Sequence, residues 1–156
     1  MKHWHHPQRL TFGAVLIALI LATAALAQTG QISQVENRVV QKRMMAMNLA
    51  NTALGTLTDM MGGRAFFDEA RARGARRSLI SATGDITPTF RKRRSDPLSH
   101  ARPEIWRHWR DFKGRAKTAQ QAARRLDTDS LSDLRRTLPS LISACLDCHR
   151  AYRSPM

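Results

Sequence analysis

Apolar side chains recur at alternating steps of three and four residues in four stretches of the chain, the pattern of amphipathic helices with one buried face. The first stripe is Val40, Met47, Ala50, Leu54, Leu57 and Met61, with Arg43 or Met44 filling the step between Val40 and Met47, and Gly62-Gly63 stops it. The second, entered through Phe66 and Phe67, is Ala72, Ala75, Leu79, Ala82 and Ile86, closed by Gly84 and Pro88. The third carries Pro103 in its first turn and runs through Ile105, Trp109, Phe112, Ala116, Ala119, Ala123 and Leu126, with Trp106 beside it. The fourth is Leu131, Leu134, Leu138, Leu141, Cys145, Cys148 and Tyr152, with Asp129 or Ser130 as its cap. Strand-like runs of Val and Ile are scarce after residue 40. The pattern predicts an all-α chain, and four stripes with mostly short connections predict an antiparallel four-helix bundle.

Two features disturb this regularity. The connection from about Thr83 to Arg102 is long, contains Pro88 and Pro97, and carries the run Arg91-Lys92-Arg93-Arg94. It reads as an exposed crossover, its charges solvated in preference to serving a dedicated docking site. Pro139 falls inside the fourth stripe, where a proline removes one hydrogen bond and costs about 3 kcal/mol. Either the helix kinks there, or a turn-like segment over 130–137 precedes a helix that starts near Leu138 with Pro139 at its first position. The second course is preferred because it avoids the cost.

The 156 residues suit one domain and can bury a core without disulfide staples. The N-terminal stretch stands apart. Lys2 and Arg9 precede an apolar run, Thr11 to Leu26, that ends in Ala25-Leu26-Ala27 before Gln28. This is the layout of a secretory signal peptide cleaved after Ala27. The alternative, an uncleaved anchor, needs about 20 apolar residues, and the run is short for that. Removing Lys2 and Arg9 from the 26 basic residues leaves 24 against 12 acidic ones, a net charge of +12. Export argues against nucleic acid as the target of this charge and leaves an acidic protein partner or an anionic membrane surface.

Only two cysteines are present, three apart in an exported chain. A disulfide between them closes a tiny loop and stabilises little. With His149 they form Cys145-x-x-Cys148-His149. On a helix, positions i, i+3 and i+4 share one face. Two thiols there can reach the two vinyl groups on one haem edge as thioethers, and the adjacent imidazole reaches the iron. Structural zinc needs four ligands, and only His100 and His108 remain to complete three clustered ones. Thiol–disulfide chemistry expects the motif at a helix start in a βαβ setting, which is absent from the pattern. On the other side of the iron Met47 is the leading candidate, although a methionine at helical spacing ordinarily fills a core.

These residues resemble the class II c-type cytochromes, which include cytochrome c-prime and its six-coordinate relatives. The resemblance rests on the ending Cys145-Leu146-Asp147-Cys148-His149-Arg150-Ala151-Tyr152-Arg153, on Arg43 with Met47 four positions later, on Ile105 to Phe112, and on Phe90 before the long loop. It implies that residues 28–156 form one monohaem cytochrome c four-helix bundle; the export signal places it in the periplasm, and since no protein group need perform bond chemistry, no enzymatic activity is expected. It divides members by the residue at Met47: a methionine implies a His–Met electron carrier, a non-ligating residue a five-coordinate iron that binds nitric oxide or carbon monoxide. Met47 here implies the first. Arg43 and Arg153 are expected near the haem edge, where arginine pairs carboxylates. The partner expected is a redox protein with an acidic surface, and relatives include homodimers. The remaining alternatives are a gas-binding module and a non-haem interaction protein with a redox Cys-x-x-Cys pair.

Overall fold

The structure is a computed structural model that describes residues 32–155. The expected signal peptide and its cleavage point lie outside the described residues. Helix α1, Arg38–Met61, starts where the Asn37 side chain accepts from the Val39 and Val40 amides. Helix α2, Glu69–Gly84, is capped in the same way by Asp68. Two short helices follow, α3 (Ile86–Phe90) and α4 (Glu104–Arg107). Helix α5 is Trp109–Arg125 and α6 is Leu131–Tyr152. Each cap answers amides that a helix start leaves unpaired. The turn after α1 uses Gly63 at φ 75°, a left-handed conformation that suits glycine. Among the described residues, no helix is long and apolar enough to cross a membrane.

The four long helices close into a bundle: α1 packs on α2, α2 on α5, α5 on α6, and α6 returns to α1. The fold is the all-α four-helix bundle that the four stripes predict. Its main core stacks Leu57, Met60, Leu79, Leu126, Leu134, Leu138 and Leu141 against alanines of α2 and α5, among them Ala72, Ala75, Ala119 and Ala123. These small side chains let the two helix axes approach, and the leucines fill the space between. A second cluster, Ile86, Phe90, Ile105, Phe112, Ala116 and Tyr152, occupies the end of the bundle where α3 and α4 sit.

Of the two residues offered for the step before Met47, Arg43 is the buried one, with 2% exposure. Three expectations need correction. The third helix is broken at His108 (φ −114°, ψ 43°) into α4 and α5. The break leaves no trace in the stripe because Ile105, Trp109 and Phe112 keep helical spacing across it. Phe66 does not lead into the core: it is 97% exposed, while Phe67 packs on the main core. The crossover is not simply solvated. Pro88 lies in α3, which buries Ile86 and Phe90, and Ala101 and Arg153 form an antiparallel bridge with Arg102 N–H donating to the Tyr152 carbonyl at 3.0 Å.

The preferred reading of Pro139 is also overturned. Helix α6 runs unbroken from Leu131, where Ser130 accepts from the Asp133 amide at 3.1 Å, and Pro139 lies in its interior. The fully buried Leu134, Leu138 and Leu141 hold the helix to the core on both sides of the proline. Pro139 itself is exposed, so the ring displaces no core side chain. The missing N–H nonetheless leaves the Arg135 carbonyl without its helical partner. Replacing Pro139 with alanine restores that bond and should stabilise the protein by about 1–3 kcal/mol, with loss of the proline's unfolded-state restriction offsetting part of the gain. Thermal unfolding followed by circular dichroism measures this. An unchanged or lower midpoint would place Pro139 at a helix start instead.

Candidate haem-attachment site

The last three turns of α6 change character residue by residue. Leu141 and Ala144 are buried, Cys145 and Cys148 half-buried, and Leu146, Asp147, His149 and Arg150 exposed. Cys145 packs on the main core and Cys148 on the aromatic cluster, so the two thiols straddle the junction of the two cores. Both thiols are free. Burial pushes the Cys145 thiol up and the Cys148 thiol up to about 11. They are therefore protonated at neutral pH, which disfavours the thiolate chemistry of a redox pair. Partial desolvation, then the positive charge of Arg153, lowers the His149 imidazole below its ordinary range. Its ring stays neutral and keeps a lone pair to offer a metal. Among the described residues no group of three or more His, Cys, Asp and Glu side chains could hold a metal ion, so His100 and His108 complete no zinc site.

Helix α1 reaches the same cluster. Met47 is partly buried and packs on the same aromatic cluster as Cys148, together with Trp106, Trp109 and Ala151. The neighbouring methionines go elsewhere: Met45 is 55% exposed, and Met60 and Met61 belong to the main core. The cluster is held by ring contacts. Phe112 lies 5.1 Å from Phe90, 5.5 Å from Trp109 and 5.3 Å from Tyr152, the last edge-on at 88°.

Arg43 and Arg153 reach different places. The Arg43 guanidinium is turned into the crossover. Its Nε donates to the Thr89 carbonyl at 2.9 Å, Nη1 to Arg94 at 2.8 Å, and Nη2 to Lys92. It also lies 4.6 Å from the Phe90 ring centre and 5.3 Å from that of Trp106. Burial lowers its pKa, but arginine keeps its charge. Arg153 is half-buried one turn beyond His149, its amide bonded to the His149 carbonyl at 2.9 Å.

Sequence reasoning missed a brace between α5 and α6. The Tyr152 hydroxyl donates to Asp111 Oδ2 at 2.6 Å. Arg115 Nε donates to the same oxygen at 2.7 Å, and its Nη1 to the Asp147 carbonyl at 3.3 Å. The Asp147 carbonyl and Tyr152 flank Cys148 and His149, so α5 fixes the motif from both sides. Asp111 and Arg115 are visible in sequence only as an i,i+4 ion pair of the kind found on any solvated helix. The Tyr152 hydrogen bond, then Arg115, holds the Asp111 carboxyl below its ordinary range, while desolvation and that bond push the Tyr152 phenol up to about 12.

The donor set fits haem c: two free thiols and an imidazole at i, i+3 and i+4 on one helix, beside an apolar aromatic cluster suited to a flat macrocycle. The brace makes a separate prediction. A depressed carboxyl stabilises the fold above its unfolded pKa and loses that contribution as pH falls through the folded value. In Tyr152→Phe the Asp111 pKa should rise toward the ordinary carboxylate range, as followed by NMR titration, and the acid limb of stability should flatten. A carboxyl that does not move would mean Tyr152 leaves Asp111 untouched.

A cytochrome c′ family model matches residues 38–153. Cytochrome c′ from Rhodobacter Spheriodes shares the fold at TM-score 0.66 and 20% identity, over 76% of this chain and 96% of that one. A nitric oxide complex of a leucine-to-isoleucine mutant of cytochrome c prime from Alcaligenes xylosoxidans is 27% identical at TM-score 0.65, over 75% and 94%. A carbon monoxide-bound leucine-to-glycine variant of the same protein is 26% identical at TM-score 0.67, over 75% and 94%. No curated protein sequence matches. With the family model covering most of its length, this chain belongs to the cytochrome c′ family, whose proteins carry a covalently attached haem c.

Proposed function

We propose that Cys145 and Cys148 would hold one haem c by thioether bonds, that His149 would ligate its iron, and that the side toward Met47 would take up nitric oxide or carbon monoxide. Bound there, the haem supplies an iron that changes oxidation state and accepts a diatomic ligand. The observation that carries the reading is the makeup of the cluster shared by Met47 and Cys148. Its buried members are Ile86, Phe90, Ile105, Phe112, Ala116 and Tyr152, and the one polar tip among them, the Tyr152 hydroxyl, is bound to Asp111. The polarity and hydrogen-bond donors around a haem decide which ligands it favours. An apolar wall suits gases that bind without hydrogen bonds. The nitric oxide and carbon monoxide complexes of similar proteins support the same reading.

Met47 tunes this site. Its soft thioether would stand on the open side and compete with an incoming gas for the iron. The second reading, a His–Met electron carrier, is favoured by the placement of Met47 on the cluster that holds Cys148. In that case the thioether stays bound in both oxidation states and raises the potential. Neither reading asks a protein group to make or break substrate bonds, so the protein is read as a carrier or gas binder and not as an enzyme. The N-terminal signal pattern supports a periplasmic location.

Two experiments test this. Protein expressed with haem-maturation machinery should have the mass of a chain starting at Gln28 plus one haem; the bare chain mass would remove the attachment. The ferrous protein should then bind carbon monoxide stoichiometrically, with Met47→Ala binding faster. If the wild type is inert while Met47→Ala turns high-spin and binds the gas, the electron-carrier reading stands instead.

A further inference from the structure

The run Arg91-Lys92-Arg93-Arg94 has no place in the reading above, and the structure gives it an unusual mounting. All four side chains are exposed. Every ion pair among the described residues lies elsewhere, so none of the run's four cations is held in a direct ion pair. Beneath it, Arg43 donates to the carbonyls of Thr89, Lys92 and Arg94. A buried cation thus grips the main chain of the run from inside and leaves its side chains outside. The grip also keeps four like charges together that would otherwise repel and spread.

The location adds to this. Arg91 directly follows Phe90, a buried member of the cluster that carries Cys148 and Met47. Trp106 Nε1 donates to the Phe90 carbonyl at 2.9 Å. Arg93, Arg94, Ser95, Ala101, Pro103 and Trp106 line a shallow groove between the run and α4. The basic run is therefore fixed at the haem end of the bundle.

We infer that Arg91-Lys92-Arg93-Arg94, held by Arg43, is the docking surface for an acidic electron-donor protein that reduces the haem. Three of its four cations are arginines, whose planar forks pair carboxylates two bonds at a time. A rigid backbone suits a partner with its own fixed pattern of carboxylates. A fluid lipid surface needs no such register, and among the described residues the run itself carries no exposed large apolar side chain. The inference rests on haem attachment but holds for either reading of Met47, since a gas binder and a carrier both need a donor. Arg43 acts here as a positioning residue.

The test uses the haem-loaded protein and photoreduced flavodoxin, a small acidic donor, in stopped-flow mixing at several salt concentrations. One variant removes the surface charges: Arg91→Gln, Lys92→Gln, Arg93→Gln and Arg94→Gln. A control removes four exposed cations from α2 and α5: Arg71→Gln, Arg77→Gln, Arg124→Gln and Arg125→Gln. Arg43 binds carbonyls and not side chains, so the first variant keeps the clamp and should keep the parent haem spectrum and gas binding. Its second-order reduction rate at low salt should fall about tenfold or more, with most of the salt dependence lost. The control should stay within about twofold of the parent, allowing for the screened effect of distant charge. Arg43→Lys retains the charge but not the fork, and should slow reduction while the four surface cations remain. Equal losses in the two glutamine variants would show a net-charge effect and overturn the inference. So would an unchanged rate, or parent protein that sediments with anionic phosphatidylglycerol vesicles yet shows no salt-dependent reaction with flavodoxin. An altered haem spectrum in the four-glutamine variant of the run would overturn the placement of the run outside the haem site.

Discussion

Everything at the functional end of this molecule depends on one constraint: a single helix must serve two cores with the same few turns. Up to Ala144, α6 is an ordinary core helix, packed by leucines against alanine-rich partners. From Cys148 onward it faces aromatic rings delivered by the crossover and by the start of α5. The Cys-x-x-Cys-His motif falls where the one environment gives way to the other. A half-buried, apolar and slightly open face is what a thioether-linked macrocycle needs, since it must be shielded by the protein yet reached by an axial imidazole. The leucines settle how deep the helix lies. The brace from Asp111 and Arg115 settles how it is turned.

Much of this was legible in sequence because it rests on periodicity and on one spacing. The leucines of α6 and the alanines of α2 and α5 announce their faces, and Cys145, Cys148 and His149 announce theirs. What escaped was of another kind. The break at His108 preserves helical spacing, so the pattern of apolar residues does not register it. Pro139 misled because a local cost was weighed without the fully buried Leu134, Leu138 and Leu141 that hold the helix continuous through it. Asp111 and Arg115 looked like any solvated pair, since nothing in a one-dimensional pattern says that Tyr152 arrives beside them.

Arg43 is the most instructive case. Its position was expected to favour the haem edge, and its place on a buried stripe already set it against its own charge. A charged group in a core survives only with its hydrogen-bonding needs met. Here no carboxylate meets them; three main-chain carbonyls and two aromatic faces do. Carbonyl oxygens are available to a buried guanidinium only where a chain segment has left regular structure, and the crossover beyond α3 is such a segment. The arginine therefore solves the crossover's problem and the crossover solves the arginine's.

This mutual dependence links regions that the sequence keeps far apart. Met47 lies one turn from Arg43 on α1, so whatever fixes Arg43 also fixes the rotation of α1 that aims Met47 at the aromatic cluster. Two of the three carbonyls that fix Arg43, those of Lys92 and Arg94, belong to the basic run, and the third, of Thr89, lies just before it. The placement of Met47 on the aromatic cluster and the outermost charged surface thus both depend on one buried cation. A lysine offers a single compact charge on a flexible stem and lacks the planar fork that reaches three divergent carbonyls at once. An arginine at position 43 thus joins the Trp106 bond to Phe90 and the Ala101–Arg153 bridge in holding a positively charged loop next to the place where a methionine and a cysteine share one apolar wall.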